Sequence, residues 1–229
     1  MSSISVIIPA RDPGGFLGEA LASVAAQTRP PTSTVVVDDG SVDNVVVDTV
    51  AQFQGVTFMR QEPMGCSTAR NRGAAATDSD FLLFLDADDL LRPRALQLLG
   101  EALEADPALQ MVHGRTFEFV DRRYPPPSGV RHRDAEVVAR LPGSTLFRRS
   151  VWDRVGGFDE LLSRGEWIDW MSRAVDLGLV SGDIDDVVLE RRLHTFNKSS
   201  SGGDKTEYLA TVIRAAVHRK RLQASQQVD

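Results

Sequence analysis

The chain has 229 residues, 42% of them hydrophobic and 25% charged, which supplies one globular domain with a core and excludes a disordered or repeat-built protein. A net charge of −6 excludes a broad basic face for nucleic acid, yet admits a small anionic ligand where a cation mediates. Cys66 is the only cysteine, so neither an intramolecular disulfide nor a cysteine-cluster zinc site can form.

The opening "MSSISVIIPA" has no basic segment before its apolar run, which is too short for a signal peptide. "SVIIPA" reads as a buried strand stopped at Pro9. After the "DPGG" turn, Phe16, Leu17, Ala20, Leu21 and Val24 recur at helical spacing. "STVVVDDGS" reads as a second strand ending in acid, and residues 42–53 as a helix, although the valines there resist one. "VTFMRQ" is a third strand, "STARNRGAAA" a small-residue helix, and "FLLFLD" a fourth strand; Pro93 suits the first turn of the helix "RALQLLGEALEA". Beyond it, "QMVHGRTFEFV" alternates like a strand, and "DRRYPPPSGVRHRD" is a Pro-rich loop. "GEWIDWMSRAVDLG" reads as a helix ended by Gly178, and "VVLERRLH" as a further strand. Tyr208, Leu209, Val212, Ile213, Ala216 and Val217 form the stripe of a last amphipathic helix with the basic end "HRKRLQ". That helix packs on the domain or extends from it; peripheral docking on a membrane is the alternative. No stretch approaches the roughly 20 apolar residues of a bilayer span, so the expectation is a soluble cytoplasmic protein.

Strands alternating with helices predict an α/β fold whose mostly parallel sheet is flanked by helices. Ligands of such sheets bind beyond the carboxyl ends of the strands. Three of those ends are polar: "PARD" after the first strand, "DDGS" after the second and "DADD" after the fourth. Along an extended chain Asp86 and Asp88 share a face, so both carboxylates would enter the crevice. They would raise one another's pKa or hold a cation, and hard oxygen ligands suit Mg²⁺ or Mn²⁺ completed by phosphate oxygens. An isolated acidic triplet is more often a solvated helix start; the buried strand in front of this one favours a ligand.

The segments "VIIPARD", "VVVDDGSVDN", "GCSTARNRGAAATDSDFLLFLDADD", "GSTLFRRSVWDRVGGFDE", "GEWIDW" and "LHTFNKSS" resemble, in order, a family 2 glycosyltransferase of the GT-A fold. The resemblance runs from residue 4 to about residue 200 and implies a transferase domain over 1–203, with 204–229 as the appended helix. It implies a nucleotide-sugar donor, by preference a UDP-sugar, an acceptor, and transfer with inversion. Pro9, Ala10, Arg11 and Asp12 then stand at the nucleotide-binding turn, where the family usually has Pro-Thr-Tyr-Asn. Arg11 would lie flat against the base where tyrosine would stack. Asp39 would contact the uracil or ribose, Arg70 the nucleotide or its phosphates, and Asn71 would orient its loop. Asp86 and Ala87 would lie near the ribose, Asp88 would ligate Mn²⁺ or Mg²⁺, and His194 would complete the metal or diphosphate site. Asp89 is expected to be a supporting carboxylate.

An inverting transfer needs a carboxylate that takes the acceptor's proton. The family supplies it from a Glu-Asp pair before a tryptophan, and "GEWIDW" has no such pair. Matching Trp167 and Trp170 to the usual tryptophans makes Glu166 the base; matching on the glutamate leaves Asp169. Either tryptophan packs the core or offers the acceptor a platform. Asn197, Lys198 and Ser199, hinged at Gly202 and Gly203, would close over the diphosphate, and the loop from Arg122 to Arg131 would face the acceptor. The rival readings are a non-catalytic nucleotide-sugar-binding protein or partner subunit and a sugar nucleotidyltransferase. "PARDPGGFLG", with one arginine and no lysine, argues against the second.

Overall fold

The computed structural model describes residues 1–126 and 134–197, and position 213 in isolation. The expected last helix, the lid positions 198–203 and the tip of the Pro-rich loop lie outside the described residues.

The first half alternates as its periodicity requires: β1 (Ile4–Ala10), α1 (Phe16–Ala25), β2 (Ser33–Asp39), α2 (Val45–Val50), β3 (Val56–Gln61), α3 (Cys66–Ala75), β4 (Phe81–Phe84). The helix expected over 42–53 shrinks to six residues, four of them valines, so the valines are accommodated and the flanking residues fall outside it. Two residues of β5 (Leu90–Leu91) then intervene before α4 (Ala95–Ala105), so Pro93 lies just ahead of the helix rather than in its first turn. The second half holds β6 (Met111–Val120), β7 (Ala135–Val137), a 3₁₀ turn at Pro142–Ser144, β8 (Thr145–Arg148), α5 (Arg149–Val155), α6 (Glu166–Asp176) and β9 (Ser181–Leu193).

All these strands join one sheet in the order β3-β2-β1-β4-β8-β6-β9-β5, with β7 paired to β6. The run from β3 to β4 is parallel, as expected. Beyond it β8 is antiparallel to both β4 and β6, and β6 with β9 restores a parallel pair. The central strands are apolar on both sides because both sides are covered. On one face Val6, Ile8, Phe81 and Leu83 meet Leu17 and Leu21 of α1 and Leu96, Leu99 and Leu103 of α4. On the other, Ile7, Leu82 and Phe84 meet Ala74 of α3, Trp152 of α5 and Trp170 of α6. The small residues of α3 let it sit close to the sheet: a Cβ on Gly73 would come within 2.4 Å of the Ile7 side chain. No described helix is long and apolar enough to cross a membrane.

The parallel register fixes the functional edge. Ala10 pairs with Asp38 and Asp39 with Gln61, so the polar turns after β1, β2 and β4 emerge side by side.

Candidate active site

These turns open onto a cleft of about 1010 Å³. Pro9, Ala10, Arg11, Asp12, Asp39, Arg70, Asp86, Ala87, Asp88, Asp89, Glu166, Trp167 and His194 all line it. Asn71 and Asp169 do not appear among the lining residues.

The first wall belongs to β1, β2 and the loop before α3. Asp39 is 4% exposed, and its carboxylate accepts hydrogen bonds from Gln61 Nε2 (2.9 Å) and from the backbone N–H groups of Met64 (2.8 Å) and Gly65 (3.0 Å). Those bonds tie the β2 end to the start of α3. Asp39 Oδ2 also lies 3.9 Å from the exposed Arg11 guanidinium. Asp12 adopts φ +45° and is held by Ser41 Oγ and by the Val42 N–H, so its carboxylate closes the turn as well as facing the cleft.

The acidic triplet differs from its sequence reading. β4 ends at Phe84, and Asp86–Asp89 is a turn closed by the Asp89 N–H on Asp86 O at 3.1 Å. Extended-strand alternation therefore does not apply. The turn gathers all three carboxylates, with one oxygen of each within 4.8 Å of the others. Burial, and then the charges of Asp88 and Asp86, push Asp89 well above the usual carboxylate range. Asp88 Oδ2 accepts from Asn197 Nδ2 at 3.2 Å and lies 2.9 Å from His194 Nε2. His194 Nδ1 accepts the Phe196 N–H at 3.1 Å, so the ring proton sits on Nε2 and is donated to Asp88. In this arrangement the Nε2 lone pair is not open to a cation until that proton moves.

Arg70 links this turn to the opposite wall. Its side chain is 3% exposed and donates from Nη2 to Asp86 Oδ1 (2.6 Å) and from Nη1 to Glu166 Oε1 (2.7 Å). Burial works against its charge, but Cys66, Asp86 and Glu166 hold the guanidinium above its ordinary pKa. The side chain expected to meet phosphate thus engages two carboxylates of the protein. Asn71 grips the loop after α5, accepting from the Phe158 N–H (2.8 Å) and donating to Phe158 O and Glu160.

Glu166 and Asp169 lie on one helix and have different fates. Gly165, at φ +77°, turns the chain into α6, and Glu166 opens that helix onto the cleft with its side chain 17% exposed. Asp169 is fully buried and ion-paired to Arg173 at 3.0 Å, which turns it away from an acceptor. Trp170 is also buried, its Nε1 donating to Gly156 O. Trp167 stacks on it (5.4 Å, 12°), donates to Arg140 O and still lines the cleft.

Arg192, Phe16, Glu19 and Asp121 form the support that sequence reasoning missed. Arg192 is 2% exposed, bonds Asp88 O, Asp121 and Glu19, and lies over the rings of Phe16 and Phe119. The available signal was a cation near the end of β9, two residues before His194.

Comparison with known proteins places this geometry in a family. Residues 5–156 match the profile of Glycosyl transferase family 2. A pre-mycofactocin glycosyltransferase of Mycobacterium tuberculosis is 30% identical over 192 residues, covering 76% of this chain and 39% of that protein. An uncharacterised glycosyltransferase of Nostoc sp. is 36% identical over 115 residues, covering 48% and 35%. The chain thus spans well under half the length of these relatives. The crystal structure of S. aureus TarS 1–349 in complex with UDP-GlcNAc has the same fold, with a TM-score of 0.75 over 93% of this chain and 65% of that one at 22% identity. With the acidic turn and the cleft residues contributed by segments inside and beyond the matched span, the chain belongs to glycosyl transferase family 2.

Proposed function

We propose that this chain is the sugar-transferring domain of an inverting glycosyltransferase whose donor is a nucleotide-diphosphate sugar, by preference a UDP-sugar. The observation that carries the reading is the convergence of Asp39, the Asp86–Asp89 turn and Glu166 on one cleft. The fold shared with TarS, crystallised with UDP-GlcNAc, supports the choice of nucleotide.

Asp39 receives the base, and Asp86 the ribose hydroxyls. The acidic turn fits a hard divalent cation: its oxygens are close enough to share one, and the cation would offset both the burial and the repulsion that raise Asp89. Asp88 is the proposed ligand, joined by His194 if its Nε2 gives up the hydrogen bond to Asp88. Bound there, Mn²⁺ or Mg²⁺ would neutralise charge on the departing diphosphate. Glu166 takes the proton of the acceptor's nucleophile as that atom bonds the anomeric carbon and the bond from that carbon to the diphosphate oxygen breaks. Arg70 fixes Glu166 in place through a 2.7 Å hydrogen bond to Oε1. No bond between sugar and enzyme is required.

The test is release of UDP from a panel of UDP-sugars with Mn²⁺, by wild type and Glu166→Gln. Release by the wild type, reduced in the variant with UDP binding intact, is expected. Tight UDP binding with no turnover of any sugar would overturn the transferase reading in favour of a nucleotide-sugar sensor.

A further inference from the structure

We propose that Arg192 is a positioning residue for Asp88, holding the acidic turn in the geometry that takes a divalent cation. This rests on the metal reading of Asp88 given above.

Each nitrogen of the Arg192 guanidinium makes a hydrogen bond. Nε donates to the backbone carbonyl of Asp88 (2.8 Å), Nη1 to Asp121 Oδ2 (2.6 Å) and Nη2 to Glu19. Its backbone N–H donates to Asp89 Oδ1 at 2.9 Å. The rings of Phe16 and Phe119 lie 4.9 and 5.0 Å from the guanidinium carbon. One residue of β9 therefore holds two consecutive members of the turn and anchors them to α1 and to the end of β6.

The choice of contact is informative. The guanidinium takes the carbonyl of Asp88, while the Asp88 carboxylate is directed to His194 and Asn197. Its charge is met elsewhere: Glu19 and Asp121 are shared between Arg192 and Arg123, two carboxylates against two cations. Asp88 is thus oriented without being neutralised. A lysine would keep the charge, but one ammonium on a flexible stem cannot reproduce a planar fork that meets a carbonyl and two carboxylates at once. Arg123 provides the internal control, because it binds Glu19 and Asp121 and makes no hydrogen bond to the acidic turn.

The experiment is a Mn²⁺ titration of the nucleotide-free protein, followed by the electron paramagnetic resonance of unbound Mn²⁺, on wild type, Arg192→Lys, Arg123→Lys and Asp88→Asn. Urea unfolding of each variant runs in parallel. Loss of an outer group that orients a metal ligand typically weakens metal binding ~10–100-fold. Arg192→Lys is expected to show a loss in that range while still unfolding cooperatively, and Arg123→Lys to bind Mn²⁺ like the wild type. Wild-type affinity in Arg192→Lys, with binding lost in Asp88→Asn, would overturn the role of Arg192 and leave the metal reading standing. Equal losses in both arginine variants would also overturn it, since the whole network rather than the Asp88 contact would then matter. No Mn²⁺ binding by the wild type would overturn the metal reading itself, and this proposal with it.

Discussion

The two walls of the cleft are built by different rules. The first wall comes from parallel strands whose ends sit side by side, so each short motif delivers its chemistry where its strand stops. The second wall is assembled from pieces far apart in sequence: the start of α6, the turn at Pro142–Ser144 and the end of β9. In the first wall a residue's role follows from its own strand; in the second it follows from what the fold sets against it. Arg70 is the bridge, spanning from Asp86 to Glu166.

The largest expected effect breaks the second wall at Glu166, the carboxylate it turns onto the cleft. Glu166→Gln should lower sugar transfer ~10²–10⁴-fold, the usual range for a general base, with UDP affinity unchanged in calorimetry. Asp169→Asn sharpens the contrast on the same helix. Removing one member of a buried ion pair costs about 3 kcal/mol, so urea unfolding should shift strongly while turnover per folded molecule persists. Equal loss of turnover in both variants would erase the distinction between the two carboxylates.

Smaller effects come from support behind the walls. His113 is 1% exposed, and burial, followed by the charge of Arg140, lowers its pKa to about 4. An unfolded histidine titrates near 6.5, so below that pH the unfolded chain binds the extra proton and stability falls until the folded group titrates near 4. Between pH 7 and pH 5 this should remove about 2 kcal/mol, read as the difference in unfolding free energy between wild type and His113→Gln. Smallest is Arg11→Ala: its guanidinium is half exposed and 3.9 Å from Asp39, so loss of that contact should change UDP affinity by less than about 5-fold. A larger loss would mean that Arg11 lies on the base, as the resemblance implied.

The legibility of the sequence follows the same division. The parallel strands and the helices between them were readable because burial on both faces leaves continuous apolar runs with polar ends. The antiparallel return of β8 and the length of β9 were not, since their pairing is set by contacts distant in sequence. Asp86 and Asp88 were recognised, but as alternating strand residues; the turn that also recruits Asp89 depends on where β4 stops, which "FLLFLDADD" does not mark. Asp169 stayed the runner-up to Glu166 because helical spacing alone does not say which meets Arg173 and which meets Arg70. Arg192 was overlooked because a charged residue in a strand is ordinarily a solvated one.

Asp88 is the residue on which the proposed metal-assisted transfer turns. Calorimetric titration of UDP, with and without Mn²⁺, on wild type and Asp88→Ala should show binding that Mn²⁺ strengthens and that the variant loses. Wild-type and variant proteins that bind UDP equally, whether or not Mn²⁺ is present, would contradict it.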